Sequence, residues 1–296
     1  MKRTTAWTIA LAGVLVLGGC SGSSDPWREP DAAMLKVAQD LSAGHPEVAW
    51  EALPPSYRED IESLLHTAAA KMDPEVWSAS FQTLDKLGRV LSEKREFILA
   101  NPMLASQREQ LPKIEMALDG TAALIATFSR SSLADLEQLG QLDVEEFLAT
   151  TGAELLSNLR ELPAAEDTES WAASLEDLAQ TKVTVVSREG DRATLRIEVP
   201  DEEPREETWL RVEQRWVPEE VATSWKDEIG KIRERLENAG TALSPEQKQA
   251  VLMQLGMVDG VLDRLLATQT AEEFNQQVSG ILGLVMGAMM SRSAPS

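Results

Sequence analysis

Apolar residues recur at helical spacing through most of the first 180 positions. Ile61, Leu64, Leu65, Ala68 and Met72 fall on one face of a segment from Pro54 to Asp73, as a repeat of 3.6 residues requires. Asp31 to Ala43 predicts a shorter helix before it. Asp73-Pro74 restarts the chain, with Asp as N-cap and Pro as first helical residue. Trp77, Phe81, Leu84, Leu87, Leu91 and Ile98 then continue the stripe. Leu111, Ile114, Leu118, Ile125 and Phe128 mark a further helix from about Gln110. Asp143, with Glu146 three positions on, predicts a capped start. The helix it opens carries Phe147, Leu148, Thr151, Leu155 and Leu159. Residues 163–168 form a polar break, and Glu169 to Gln180 reads as helix again.

The period changes at 182. Val183 to Ser187, the turn residues Glu189-Gly-Asp-Arg192, and the alternation of Ala193, Leu195, Ile197 and Val199 predict a hairpin. Two shorter strands follow an acidic loop. The expected strands are 182–187, 192–199, 207–212 and 215–217, with Leu195, Ile197, Leu210 and Val212 buried. A sheet apolar on one side needs a helical cover. Pro218 ends the last strand, and Val221, Trp225, Ile229, Ile232 and Leu236 start the next helix. Ser244-Pro-Glu-Gln247 and Thr270-Ala-Glu-Glu273 are capping boxes that open two more helices. The fold class is therefore α+β and mainly α-helical. It has a bundle-like body (31–180), then a small antiparallel β-meander of three or four strands with a C-terminal helical hairpin (181–291).

Glycines recur four apart in the last two helices, at Gly256 and Gly260 and at Gly283 and Gly287. Each costs a helix about 1 kcal/mol against Ala, so close helix–helix approach is the expected reason. The stripe Val251, Leu255, Val258, Leu262, Leu265 and the stripe Phe274, Val278, Ile281, Val285, Met289 would meet in an antiparallel pair. Gly256 or Gly260 would then lie against Gly283 or Gly287. The apolar run from Ile281 to Met290 is too short to span a bilayer, which takes ~20 residues. Contact with a partner or a membrane is its other reading.

The first residues change the picture more than the composition does. Lys2 and Arg3 precede an uncharged run from Ala6 to Leu17, and Leu17-Gly18-Gly19-Cys20 closes it. Basic, apolar, small is the order of a secretory signal. The final four residues resemble a bacterial lipobox. That likeness implies cleavage after residue 19 and a lipidated Cys20 as the first residue of the mature chain. Ser21 after the Cys resembles lipoproteins sorted to the outer membrane. Residues 20–30 then form a tether, in which Trp27 has two readings, at the bilayer surface or packed on the body. The net charge is −21, and −23 once Lys2 and Arg3 are removed. Such a chain repels phosphates, which argues against nucleic acid as a partner. It also leaves membrane attachment to the lipid.

Candidate chemistry is sparse. A single Cys permits no internal disulfide and no Cys-based zinc site. No nucleotide, nucleophile or metalloprotease motif occurs. No catalytic residue, cofactor or metal is therefore assigned. His45 reads as a loop or cap residue and His66 as a partly buried core-edge residue. Glu59, Asp60 and Glu62 read as a solvated flank. Trp50, Trp77 and Trp225 fall on apolar helix faces. Trp209 is out of phase with Leu210 and Val212 and shares its face with Arg211. An exposed Trp beside an Arg would be a contact surface, and a covering helix is the alternative.

The stretches Ala49 to Tyr57, Lys71 to Trp77, and Arg215-Trp-Val-Pro218 with Trp225 together resemble a group of uncharacterised bacterial envelope lipoproteins. The resemblance implies a helical front half and a short sheet near the end, and brings no activity with it. The function expected is a membrane-anchored, periplasm-facing module that binds or scaffolds. Its partner would be an envelope protein or an apolar ligand. The rivals are an envelope hydrolase with a carboxylate and His66 site, and a membrane-active protein using residues 281–290. A pocket joining His66 to two carboxylates would favour the hydrolase. A pocket of Leu, Met and Trp alone would favour ligand binding.

Overall fold

The structure is a computed structural model that describes residues 25–105, 109–164, 171–239 and 243–292. The side chains of Met103, Ala105, Trp171, Ala239 and residues 282–292 lie outside the description. The expected signal segment and Cys20 lie outside the described residues too. A short 3-10 turn, Pro26–Arg28, leads into α1 (Pro30–Ala43), α2 (Glu47–Glu51), α3 (Pro55–Lys71), α4 (Pro74–Glu93) and α5 (Arg95–Leu99). Then come α6 (Pro102–Ala105), α7 (Leu111–Ser129), α8 (Leu136–Leu139), α9 (Val144–Phe147), α10 (Ala153–Arg160) and α11 (Trp171–Gln180). The sheet follows as β1 (Lys182–Glu189), β2 (Arg192–Glu198), β3 (Arg205–Val212) and β4 (Arg215–Pro218). It is succeeded by α12 (Glu219–Ala239), α13 (Pro245–Ala267) and α14 (Ala271–Arg292). The α+β, mainly helical class is as the pattern predicts.

Local signals act where they were read. The Asp73 carboxylate accepts from the N–H groups of Glu75 and Val76, and Asp143 accepts from Glu146 N–H. Both arms of the Ser244 box are made. In the second box Thr270 Oγ1 accepts from Glu273 N–H, but the Glu273 carboxylate reaches one residue further back, to Gln269 N–H. The segment between α9 and α10, Leu148–Gly152, is a π-turn that the apolar stripe did not reveal. Its extra residue rotates every later side chain by about 100° relative to a regular helix.

The sheet is a meander in the order β1-β2-β3-β4, all antiparallel. Ala193, Leu195 and Ile197 are buried on one face, while Thr194 and Arg196 point the other way. That face is covered by α1 and the 3-10 turn, through a cluster of Trp27, Ala33, Val48, Ala193 and Trp216. One expectation needs correcting. Leu210 pairs with Arg192, and Trp209 with Ala193, so Trp209 shares the Leu195 face while Leu210 and Val212 take the opposite one. Both faces of β3 carry large side chains, and only the pairing register with β2 decides which turns inward. Val217, opposite Leu210, is also buried, and α12 packs against β3 and β4. Trp225 of α12 stacks on Tyr57 of α3 at 4.0 Å and donates its indole N–H to Asp60. Asp60 is therefore engaged, not merely solvated.

The last helices do not form the expected hairpin. Among the described residues, α13 lies along α4 and α14 along α5, and the two touch at their junction. There Leu262 and Leu265 pack with Val90 and Phe274. Three lysines staple α13 to α4. Lys248 meets Asp73 and Glu75 at 2.9 and 2.8 Å, Lys86 meets Asp259 and Asp263 at 3.0 Å each, and Lys94 donates to the Thr268 carbonyl at 2.8 Å. Contact positions rise together along both helices, so the pair is parallel. Elements from both sides of residue 180 thus interleave.

The glycine expectation is corrected by the same arrangement. A Cβ on Gly256 or Gly260 would meet nothing within 4 Å. Val258, Met253 and Met257 of that helix are exposed. The surroundings of Gly283 and Gly287 lie outside the description. Close approach occurs instead at Gly88 of α4, where a Cβ would come 2.9 Å from Ile125 Cγ2 of α7. Ala122 lies buried on α7 nearby in sequence. Gly88→Ala should therefore cost about 1–3 kcal/mol by overpacking. Gly260→Ala should raise stability by up to about 1 kcal/mol through helix propensity. Urea unfolding of the two variants checks both signs.

The staples also set a pH response. The Lys248 ammonium and two backbone N–H groups hold the Asp73 carboxyl below its usual range. For Asp259, burial pushes upward, but Thr83 and Lys86 prevail and lower it. Asp263 and Asp259 raise Lys86, and Glu75 and Asp73 raise Lys248. Depressed carboxyls contribute stability above their unfolded pKa, near 3.9, and lose it as pH falls through the folded value. Raised ammoniums contribute below about 10.4 and lose it as pH rises through theirs. Melting temperature should fall on both sides of a plateau between roughly pH 4 and 10. Asp259→Asn should flatten the acid limb, and calorimetry across pH measures this.

Candidate functional site

The exposed side of α3 carries Glu59, Glu62 and His66, three and four residues apart, which places them along one helix face. Across from them the chain between α8 and α9 brings Gln141, Leu142 and Asp143, and α9 adds Glu145. Together with Trp50 and Arg58 they line a depression of about 540 Å³. His66 is exposed, which corrects the expected core-edge placement.

This depression is one end of a longer groove. It shares Gln141, Leu142 and Asp143 with a neighbour of about 510 Å³ that Arg130, Ser131 and Thr151 also line. Those three recur in a third, beside Thr127, Glu154 and Asn158. Ala123, Ala126 and Arg130 join the third to a fourth, of about 410 Å³, floored by Gly88 and Ala122 between α4 and α7. The π-turn places Thr150 and Thr151 on this line. Thr127 donates to Glu154 at 2.8 Å and accepts from Asn158 at 3.1 Å, which fixes the wall between α7 and α10.

The two ends differ in charge. Arg95 makes a forked pair with Asp119 at 2.6 and 3.2 Å, and Asp119 beside it raises the guanidinium's pKa further. Arg89 pairs with Glu93 at 2.8 Å and Arg130 with Asp85 at 3.4 Å. At the other end the carboxylates of Glu59, Glu62 and Glu145 form no ion pair with a described residue. Asp143 is occupied as a helix cap. The groove therefore runs from an end with uncompensated negative charge, past hydroxyl and amide side chains, to an end edged by paired arginines. Such walls offer hydrogen bonds over several steps, with apolar surface greatest between α4 and α7. Among the described residues no group of three or more His, Asp or Glu converges as a metal site would require.

Apart from His66, Glu59, Glu62 and Trp50, the residues singled out from the sequence lie elsewhere. Trp209 is half-buried against both apolar clusters of the sheet, so it is no exposed contact surface. Its indole N–H and Arg211 Nε are buried without a hydrogen-bond partner in the described structure. Cys20 lies outside the described residues. Gly283 and Gly287 are within α14, and their environment is not described. No helix of the described residues is long and apolar enough to cross a membrane. The groove residues Arg58, Arg130, Ser131 and Gln141 escaped the sequence reading, and Thr151, expected on the apolar stripe of its helix, lines the groove instead. They sit on different elements and share no spacing, so no motif could have joined them.

No protein-family model matches the chain, and neither a curated protein nor a solved structure is similar to it.

Proposed function

We propose that the chain is a lipid-anchored bacterial lipoprotein, held through Cys20 in the outer membrane and facing the periplasm, whose helical body is a binding module. The lipobox Leu17-Gly-Gly-Cys20 supports the anchor. The observation that carries the binding reading is the continuity of the groove across α3, α4, α7, α9 and α10. An open, polar, elongated surface suits an extended polar chain, such as a segment of an envelope protein. It does not suit a compact apolar ligand, which would need an enclosed pocket.

A hydrolytic reading has one observation in its favour. His66 lies in one depression with Glu59, Glu62, Asp143 and Glu145, the grouping named above as its mark. Binding is the stronger reading because the His66 ring makes no hydrogen bond to a described carboxylate. A base without an orienting partner lacks the arrangement that nucleophilic and acid–base sites use. Nothing described supports a membrane-active role for residues 281–290.

Two measurements test the proposal. Cys20→Ala should abolish incorporation of labelled palmitate and release the protein from the membrane fraction, and unchanged fractionation would refute the anchor. A photo-crosslinking residue at Ser131 or Thr151 should capture a partner in intact cells. The same residue at Met116, exposed on α7 and not among the groove residues, should not. Equal yields at all three positions would refute the groove. Arg130→Glu should lower the yield at Thr151 several-fold, with less than about 1 kcal/mol lost from stability, because its ion pair is exposed.

A further inference from the structure

The point where the chain enters the fold is fastened more heavily than a tether requires. Trp27 is 8% exposed and Trp216 only 2%. The guanidinium of Arg215 lies 5.1 Å from the centre of the Trp27 ring, and the Lys36 ammonium lies 5.8 Å from it. Arg188 lies 5.3 Å from the centre of the Trp216 ring and also pairs with Glu29. The Trp216 indole N–H donates to the Arg28 carbonyl at 3.1 Å. Arg215 donates in turn to the Glu51 carbonyl at 2.8 Å, and Asp25 accepts from Trp27 N–H at 3.1 Å. Residues 25–29 are thus held by α1, α2, β1 and β4 together. Stacked cations over buried indoles are worth more than surface ion pairs, because the ring excludes water from one side of the charge.

Residue 20, the candidate lipidated Cys, lies five positions before Asp25. An extended chain covers at most ~3.3–3.6 Å per residue, so those five steps reach roughly 17 Å. We propose that the Trp27–Trp216 clasp is a membrane-apposition device that holds the end of the sheet bearing the chain entry against the lipid surface. This rests on the lipid anchor proposed above. The charge pattern gives the clasp its task. The chain from Cys20 carries −23, which anionic headgroups repel, with a Debye length of about 10 Å at 0.1 M salt. Around the entry point, the cations Arg28, Lys36, Arg188 and Arg215 stand among the carboxylates Asp25, Glu29, Asp31, Asp40, Glu47 and Glu51. The patch stays acidic, so apposition depends on the fastened chain and not on adhesion of the body. Without the clasp, release of residues 25–29 would lengthen the path from Cys20 to the body and let the body stand off and tumble.

The sequence has a single Cys, so the chain starting at Cys20 can be coupled chemically to a maleimide lipid. That makes the test independent of lipidation in cells. The coupled protein is placed on a supported bilayer of phosphatidylcholine with phosphatidylglycerol, and neutron reflectometry reads the height of the protein layer. The layer is expected to begin within about 17 Å of the headgroups. A ten-residue Gly/Ser insertion between Ser24 and Asp25 should move it outward by roughly 15–20 Å. Trp27→Ala should broaden it and move it outward by a lesser amount. Amide exchange of the uncoupled native chain supplies a check that needs no variant, because the Trp27 and Arg28 amides, which donate to Asp25, should be protected as strongly as the Ala33 amide that donates to the Glu29 carbonyl. Unprotected amides there would overturn the proposal. So would a layer that stays in place in a folded Trp27→Ala protein, or one that does not respond to the insertion.

Discussion

The cover on the apolar face of the sheet is the contact on which the architecture depends. The apolar face of four short antiparallel strands needs a cover to stay out of water. Ala193, Leu195 and Ile197 present that face, and they are among the least exposed residues of the chain. What covers them comes from the far end of the sequence: Trp27, Ala33 and Val48, joined by Trp216 from the last strand. Fully buried side chains such as Leu195, Ile197 and Val48 contribute about 1.5–3 kcal/mol each. The sheet and the first two helices therefore fold as one unit, although 130 residues, 52 to 181, separate them in the sequence.

A second set of long-range contacts closes the helical part. Between α4 and α7 the helices approach closely at Gly88, beside small residues such as Ala122. Between α4 and α13 the contact is charged at its edges, with Lys86 and Lys248 each bridging two carboxylates, and apolar at its C-terminal end around Leu262 and Leu265. α4 is thus gripped from two sides by opposite means, and this explains why α13 runs beside it rather than doubling back on α14. The price is a face of α13, with Met253, Met257 and the open Gly256 and Gly260, that nothing described covers.

The groove is a product of the same packing. Its walls are the sides of helices whose main apolar faces are turned inward, so what remains outside is Thr, Ser, Asn, Gln and charge, with small apolar residues where α4 meets α7. The π-turn at Leu148–Gly152 adds the one local irregularity, and it lies on the groove. Position along the groove and the sign of its charge are coupled, since the Arg end is internally neutralised while Glu59, Glu62 and Glu145 are not.

Periodicity and end signals determined most of the elements by themselves. Asp73-Pro74, Asp143, and the Ser244 box began helices where they stand, because a cap is a contact within four residues and needs nothing distant. The β-meander and its turn at Gly190, with φ of 61°, were legible for the same reason. The lipobox-like string Leu17-Gly-Gly-Cys20 is likewise local, and the proposed anchor rests on it. Only the tertiary structure decided which face of β3 is inside, since Trp209-x-Arg211 and Leu210-x-Val212 offer two stripes and the register with β2 chooses between them. It decided the partner of α13 as well. The Val251 to Leu265 stripe fits any apolar neighbour, and the choice of α4 depends on lysines and carboxylates about 175 residues apart. The groove was beyond the sequence altogether, because its residues acquire meaning from proximity in space, and hydrophobic spacing along one helix carries no information about what a second helix will place opposite it.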